Sequence, residues 1–177
     1  MLASEVRRGL AWAAGAIDYD SSRPSRRQSA LGAVLLPALR GRVPEVAVVV
    51  DTSGSMREAD LSRALAEVEG VVRAVGVRTN AVTVLACDTH AHAVRRVSSA
   101  RQVVLEGGGG TDMAAGIGAA LALRPRPQLV VVLTDGLTPW PDTPPRASTK
   151  VVVGLIGDRG SAPPVPAWAR SVRIEAA

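Results

Sequence analysis

The chain has 177 residues, room for one domain with a buried core. Hydrophobic residues make up 47% of it with no Phe and one Tyr, a composition that argues against disorder over most of the chain and suits aliphatic layers, a β-branched sheet under Ala-rich helices. The net charge of +5 is uneven: residues 1–44 hold seven Arg against three acids, whereas residues 45–177 hold fourteen Lys and Arg against thirteen.

The basic excess surrounds Arg23, Arg26, Arg27, Arg40 and Arg42, and no aromatic residues interleave with it for base stacking. It therefore reads as a solvated arm, and nucleic acid is not the expected partner. No apolar run approaches the roughly 18 residues of a membrane span, and residues 1–20 lack the apolar stretch and cleavage site of a signal peptide. The single Cys87 can form no internal disulfide, so a cytoplasmic setting without membrane contact is the expectation.

Residues 2–16 read as an Ala-rich helix, and 18–30, polar and broken by Pro24, as a linker. Residues 1–43 thus form an N-terminal helix and basic arm ahead of a domain spanning 44–177. Val46–Val50 is a continuous β-branched run, the composition of a strand buried on both faces. Asp51-Thr52-Ser53-Gly54-Ser55 follows, and then an apolar stripe at Leu61, Ala64, Leu65, Val68, Val71, Val72 and Val75 predicts a helix stopped by Gly76.

Ala81–Ala86 is a second apolar strand, and His90–Val97 a third at a sheet edge, with Arg95 and Arg96 discouraging further pairing. Gly107–Gly110 break the chain before a helix over 112–123. Leu129–Leu133 is another buried strand, ending in Thr134-Asp135-Gly136. Pro139–Pro145 is a loop, Val151–Leu155 a strand, 165–170 a short helix and Val172–Ile174 a final strand. The alternation predicts an α/β class: a doubly wound, mostly parallel sheet with helices on both faces and one antiparallel edge strand.

Three loops leave strand ends or open helices, where doubly wound sheets gather ligands. The first carries Asp51, Ser53 and Ser55, which alternate and converge as the chain turns from strand to helix. The second carries Gly110, Thr111 and Asp112, and the third Asp135. Two carboxylates with three hydroxyls suit Mg²⁺ or Mn²⁺, hard cations that take oxygen ligands and retain water. With so few carboxylates such an ion keeps enough positive charge to accept an acidic group from a partner. Helix capping by the same Asp, Ser and Thr side chains is compatible with ligation. Asp112 stands behind the ligands or simply favours the helix dipole. Trp140 lies on the rim, packed on the sheet or facing a partner.

At these residues the chain resembles the von Willebrand factor A (VWA) family. Asp51-Thr52-Ser53-Gly54-Ser55 resembles its DxSxS signature, Gly109-Gly110-Thr111-Asp112 its second loop, and Thr134-Asp135-Gly136 its third. The resemblance covers about residues 44–175. It implies a Rossmann-like fold and a metal-ion-dependent adhesion site (MIDAS) formed by Asp51, Ser53, Ser55, Thr111 and Asp135, with Gly110, Asp112 and Trp140 around it. An acidic side chain of a protein partner would complete the coordination.

Arg23–Arg27, Asp51–Met56, Cys87-Asp88, Gly107–Asp112 and Thr134–Trp140 look closer still to one bacterial branch, the carboxyl-terminal VWA-like domain of predicted metallopeptidases. That resemblance implies a longer gene product, with residues 1–30 at the junction, and service to an ATPase-linked assembly. The present chain carries no HExxH, so peptidase activity does not transfer and no enzyme is expected.

Rival readings remain. A Mg²⁺-dependent hydrolase or phosphotransferase would need a base beside the metal, and the three loops hold no His or Lys. A metal-free scaffold with a nucleic-acid-contacting arm would bind with a steep salt dependence. Asp88, His90 and His92 share one face of a strand, a spacing that could hold Zn²⁺, against the reading of a solvated edge.

Overall fold

The computed structural model describes residues 2–14, 17–24, 37–41, 44–75, 82–88, 91–97, 110, 112–146, 148–157 and 164–174. In chain order the elements are α1 (Leu2–Ala14), β1 (Ile17–Pro24), β2 (Pro37–Gly41), β3 (Val46–Asp51), α2 (Glu58–Val75), β4 (Val82–Cys87), β5 (Ala91–Val97), α3 (Met113–Ala122), β6 (Leu129–Thr134), β7 (Lys150–Ile156) and β8 (Arg170–Ile174). Strands β1 and β2 pair antiparallel as a separate ribbon. The remaining six form one sheet in the order β5-β4-β3-β6-β7-β8. Five of these run parallel, and β5 lies antiparallel along β4.

The order contains one reversal. From β3 the chain moves outward to β4 and β5, then returns past β3 to β6 and continues to β7 and β8. Parallel crossovers keep a right hand, so moving in opposite directions along a sheet puts the connecting helices on opposite faces. The cores follow that division. Val46, Val48, Val50, Leu129, Val131 and Leu133 pack with Leu2 and Val6 of α1 and with Ala64, Val68, Val71 and Val72 of α2. Ala47, Val49, Val130 and Val132 pack on the other face with Met113, Ile117 and Ala120 of α3. Alternate residues of one strand face opposite layers, which is why Val46–Val50 of β3 and Leu129–Leu133 of β6 read as unbroken apolar runs.

Several elements differ from the sequence expectation. Helix α1, described over Leu2–Ala14, belongs to the core, while 15–16 lie outside the described residues: Leu2 and Val6, one helical repeat apart, are buried, and Leu10 continues the stripe. Part of the expected linker, 18–24, is strand β1, while 25–30 lie outside the described residues. The expected helix over 165–170 is a single turn, closed by the Ala169 N–H on the Pro166 carbonyl at 2.9 Å. Pro164 and Pro166 have no N–H to donate to a helical ladder, and Arg170 already starts β8.

Helix α3 lies close to the sheet, and two of its glycines should respond oppositely to alanine. A Cβ at Gly116 would sit 2.7 Å from Cys87 Sγ and 2.9 Å from Val49 Cγ1, whereas at Gly118 it would meet nothing within 4 Å. Gly118→Ala is expected to raise stability by about 0.5–1 kcal/mol through helix propensity. Gly116→Ala is expected to lower it, because overpacking costs about 1–3 kcal/mol against the same small gain. Urea midpoints of the two variants should fall on opposite sides of the wild-type value.

Candidate functional site

The reversal of strand order lies between β3 and β6, and their carboxyl ends open the crevice where such sheets bind ligands. Asp51 is the last residue of β3, and Thr134, the last of β6, delivers Asp135 beside it. All three are buried. Two strands of the expected site therefore converge because the register pairs Val50 with Leu133, one residue before each strand end.

The first loop folds around its own carboxylate. Asp51 Oδ1 accepts the Ser53 N–H at 3.0 Å, a local turn characteristic of Asp, while the Thr52 N–H continues the pairing to Cys87 O at 2.8 Å. Ser53 Oγ and Ser55 Oγ stand 3.0 Å apart, so the two hydroxyls converge as their alternation suggested. The loop closes when the Met56 N–H bonds Ser53 O at 3.0 Å. Beyond it, buried Asp60 accepts from Arg57 Nε at 3.1 Å and Arg63 Nη1 at 3.4 Å, which anchors the start of α2.

The third loop is tied to both others through two threonines outside the expected ligand set, Thr134 and Thr138. Thr134 Oγ1 donates to Asp51 Oδ2 at 2.5 Å and accepts from the Gly136 N–H at 3.0 Å. Gly136 has φ +82, a backbone conformation costly for other residues. This turn lets the Leu137 N–H reach Asp135 Oδ1 at 2.9 Å. Thr138 Oγ1 accepts the Met113 N–H at 3.3 Å and donates to Pro139 O at 3.2 Å, joining the third loop to the start of α3. A hydroxyl closing an apolar strand run next to an Asp was the available signal for Thr134.

Thr111 lies outside the described residues, as do Gly107–Gly109; Gly110 is described and exposed. Asp112 caps α3, its Oδ1 accepting the Ala115 N–H at 3.0 Å, and its own N–H bonds Asp88 O at 2.9 Å. Trp140 is half-buried and packs against the α3-side core. His90 also lies outside the described residues. Cys87 faces α3, its thiol donating to the carbonyls of Asp88 and Asp112, and burial pushes it up to about 11.

Burial pushes the Asp51 carboxyl above its ordinary value, and the nearby charge of Asp135 adds to the shift; hydrogen bonds from Thr134 and Ser53 oppose it. Two carboxylates close enough to repel, inside a low-dielectric crevice, favour a cation between or beside them. Among the described residues no three His, Cys, Asp or Glu side chains gather where they could hold a metal, so a cation here would depend on hydroxyl oxygens as well. Paired serine hydroxyls with two carboxylates match the preference of Mg²⁺ for hard oxygen ligands and few anionic ones. Among the described residues no helix is long and apolar enough to cross a membrane.

Residues 46–175 match the family model of a VWA-like domain (DUF2201). No curated protein matches the chain. The matched segment begins with the first residue of β3 and closes one residue after β8, so it contains the whole six-stranded sheet.

Proposed function

Since the chain belongs to the VWA-like domain family, we propose that it is a binding module that uses a divalent cation to capture an acidic group of a protein partner. Asp51, Ser53, Ser55, Thr111 and Asp135 would hold Mg²⁺ or Mn²⁺. Bound there, the ion would supply a positive centre of the kind that an Asp or Glu side chain can ligate. The observation that carries this reading is the juxtaposition of the buried Asp51 and Asp135 carboxylates with the Ser53–Ser55 hydroxyl pair. The chain's own residues orient those oxygens: Ser53 N–H and Thr134 Oγ1 fix the Asp51 carboxylate, and Leu137 N–H fixes that of Asp135.

The module is read as non-enzymatic, because none of the three loops contains a His or Lys that could activate a nucleophile. Its setting is proposed to be the carboxyl-terminal part of a larger, cytoplasmic, metallopeptidase-like protein serving an ATPase-linked assembly. Support for that setting is the local sequence resemblance around Arg23–Arg27 and Thr134–Trp140.

The direct test is calorimetric titration of Mg²⁺ or Mn²⁺ into metal-stripped protein, followed by a Glu-containing peptide library on the loaded form. Wild type should bind one ion and retain acidic peptides only when loaded. Asp51→Ala should do neither, and unchanged affinity in that variant would defeat the proposal.

A further inference from the structure

We propose that Thr134, which stands outside the proposed ligand set, is a positioning residue for the cation site; the inference rests on the metal-binding reading above. Its hydroxyl joins the two halves of that site. The proton goes to Asp51 Oδ2 at 2.5 Å, and the oxygen receives the Gly136 N–H at 3.0 Å. Because Gly136 already donates to the oxygen, the hydroxyl hydrogen is directed at the carboxylate.

Within its own loop Asp51 is held by Ser53, whose N–H donates to Oδ1 at 3.0 Å and whose side chain also bonds the carboxylate; Thr134 adds a bond to Oδ2 from another loop, against a last torsion that is broad for Asp. A bond to each oxygen, from two different loops, fixes the plane. The same hydroxyl also braces the left-handed Gly136 turn, which brings the Leu137 N–H to Asp135 Oδ1. One buried oxygen thus sets the orientation of one carboxylate and supports the turn that orients the other. Thr134 and Asp51 are both fully buried, so water does not compete for these bonds.

Outer partners of metal ligands orient them, and their loss weakens metal affinity about 10–100-fold. Thr134→Val keeps the β-branch and the volume of the strand residue but removes the donor. Thr134→Ser keeps the donor. The probe is Mn²⁺ alone, with free ion counted by electron paramagnetic resonance, on metal-stripped folded protein well below its melting temperature.

The expected result is a Kd for Thr134→Val raised about 10–100-fold, with Thr134→Ser restored to the wild-type value. Thr134→Ala replaces the valine variant should the latter not fold, and is expected to give the same weakening. If the hydroxyl serves only to hold the strands together, the valine or alanine variant will melt earlier but bind Mn²⁺ with the wild-type Kd; that outcome overturns the inference while leaving the metal reading intact. A wild type that binds no Mn²⁺ overturns both.

Discussion

A chain that starts at residue 44 is expected to unfold far more readily than the full protein, although it keeps the entire family-matched segment. The reason is α1. Leu2 and Val6 are buried in the same core as Val48, Val131 and Leu133. A Cβ at Gly9 would approach Leu129 to 2.9 Å, and one at Gly154 of β7 would lie 3.6 Å from Leu2 Cδ2, so the helix lies directly on β6 and β7. Glu5 reaches across to Arg170 of β8 at 2.8 Å. That pair is largely exposed on the arginine side and contributes little; the apolar contact dominates. Leu2→Ala alone is expected to cost about 2–5 kcal/mol, and whole-domain stability is typically only about 5–15 kcal/mol. Removing the helix also uncovers apolar strands on the β6–β8 side, an aggregation hazard. Urea denaturation of wild type, Leu2→Ala, Val6→Ala and the shortened chain would test this. Equal midpoints for the full and shortened chains would make α1 an appendage, as the basic composition of residues 1–44 had suggested.

That misreading has a physical source. Composition over a window averages α1 with the Arg-rich stretch behind it, and the helix offers only Leu2, Val6 and Leu10 as its apolar stripe, too short a pattern to distinguish a docked helix from a free one. The central strands were legible for the opposite reason. A strand covered on both faces has no polar alternation, so Val46–Val50 and Leu129–Leu133 stand out in any context. Ser53 and Ser55 were legible because side chains at alternating positions converge where a strand turns into a helix, and their oxygens lie 3.0 Å apart. The roles of Thr134 and Thr138 were not, since each acts through a residue distant in sequence: Asp51 is 83 positions away and Met113 is 25. Only the register of β3 against β6 brings the first pair together, and register is not written in either strand alone. The turn over 166–169 was missed because local apolar residues outweighed the prolines, which decide the matter by removing backbone donors.

Replacing the Asp51 carboxylate with its neutral isostere should separate stability from metal response. In wild-type protein without metal, burial and the charge of Asp135 raise Asp51 above its ordinary value. The folded state then holds this proton more tightly than the unfolded chain does. Its contribution to stability is fully present below the unfolded pKa of about 3.9 and is lost as pH rises through the higher folded value. At neutral pH the ionised side chain therefore costs stability, and metal-stripped Asp51→Asn is expected to melt at or above the wild-type temperature. With Mg²⁺ the order should reverse. An ion at about 100 times its Kd adds about 2.7 kcal/mol, a rise of roughly 5–10 °C for a domain of this size, and the variant, lacking the carboxylate, should show none of it. The same linkage makes the wild-type Mg²⁺ shift shrink on acidification, because protons compete with the ion for Asp51. Melts of both proteins with and without Mg²⁺, taken from acid to neutral pH, read all of this in one series. A purely structural Asp51 would make the asparagine variant less stable under every condition, with no reversal of order on adding metal, and that pattern would remove the carboxylate pair from the proposed site.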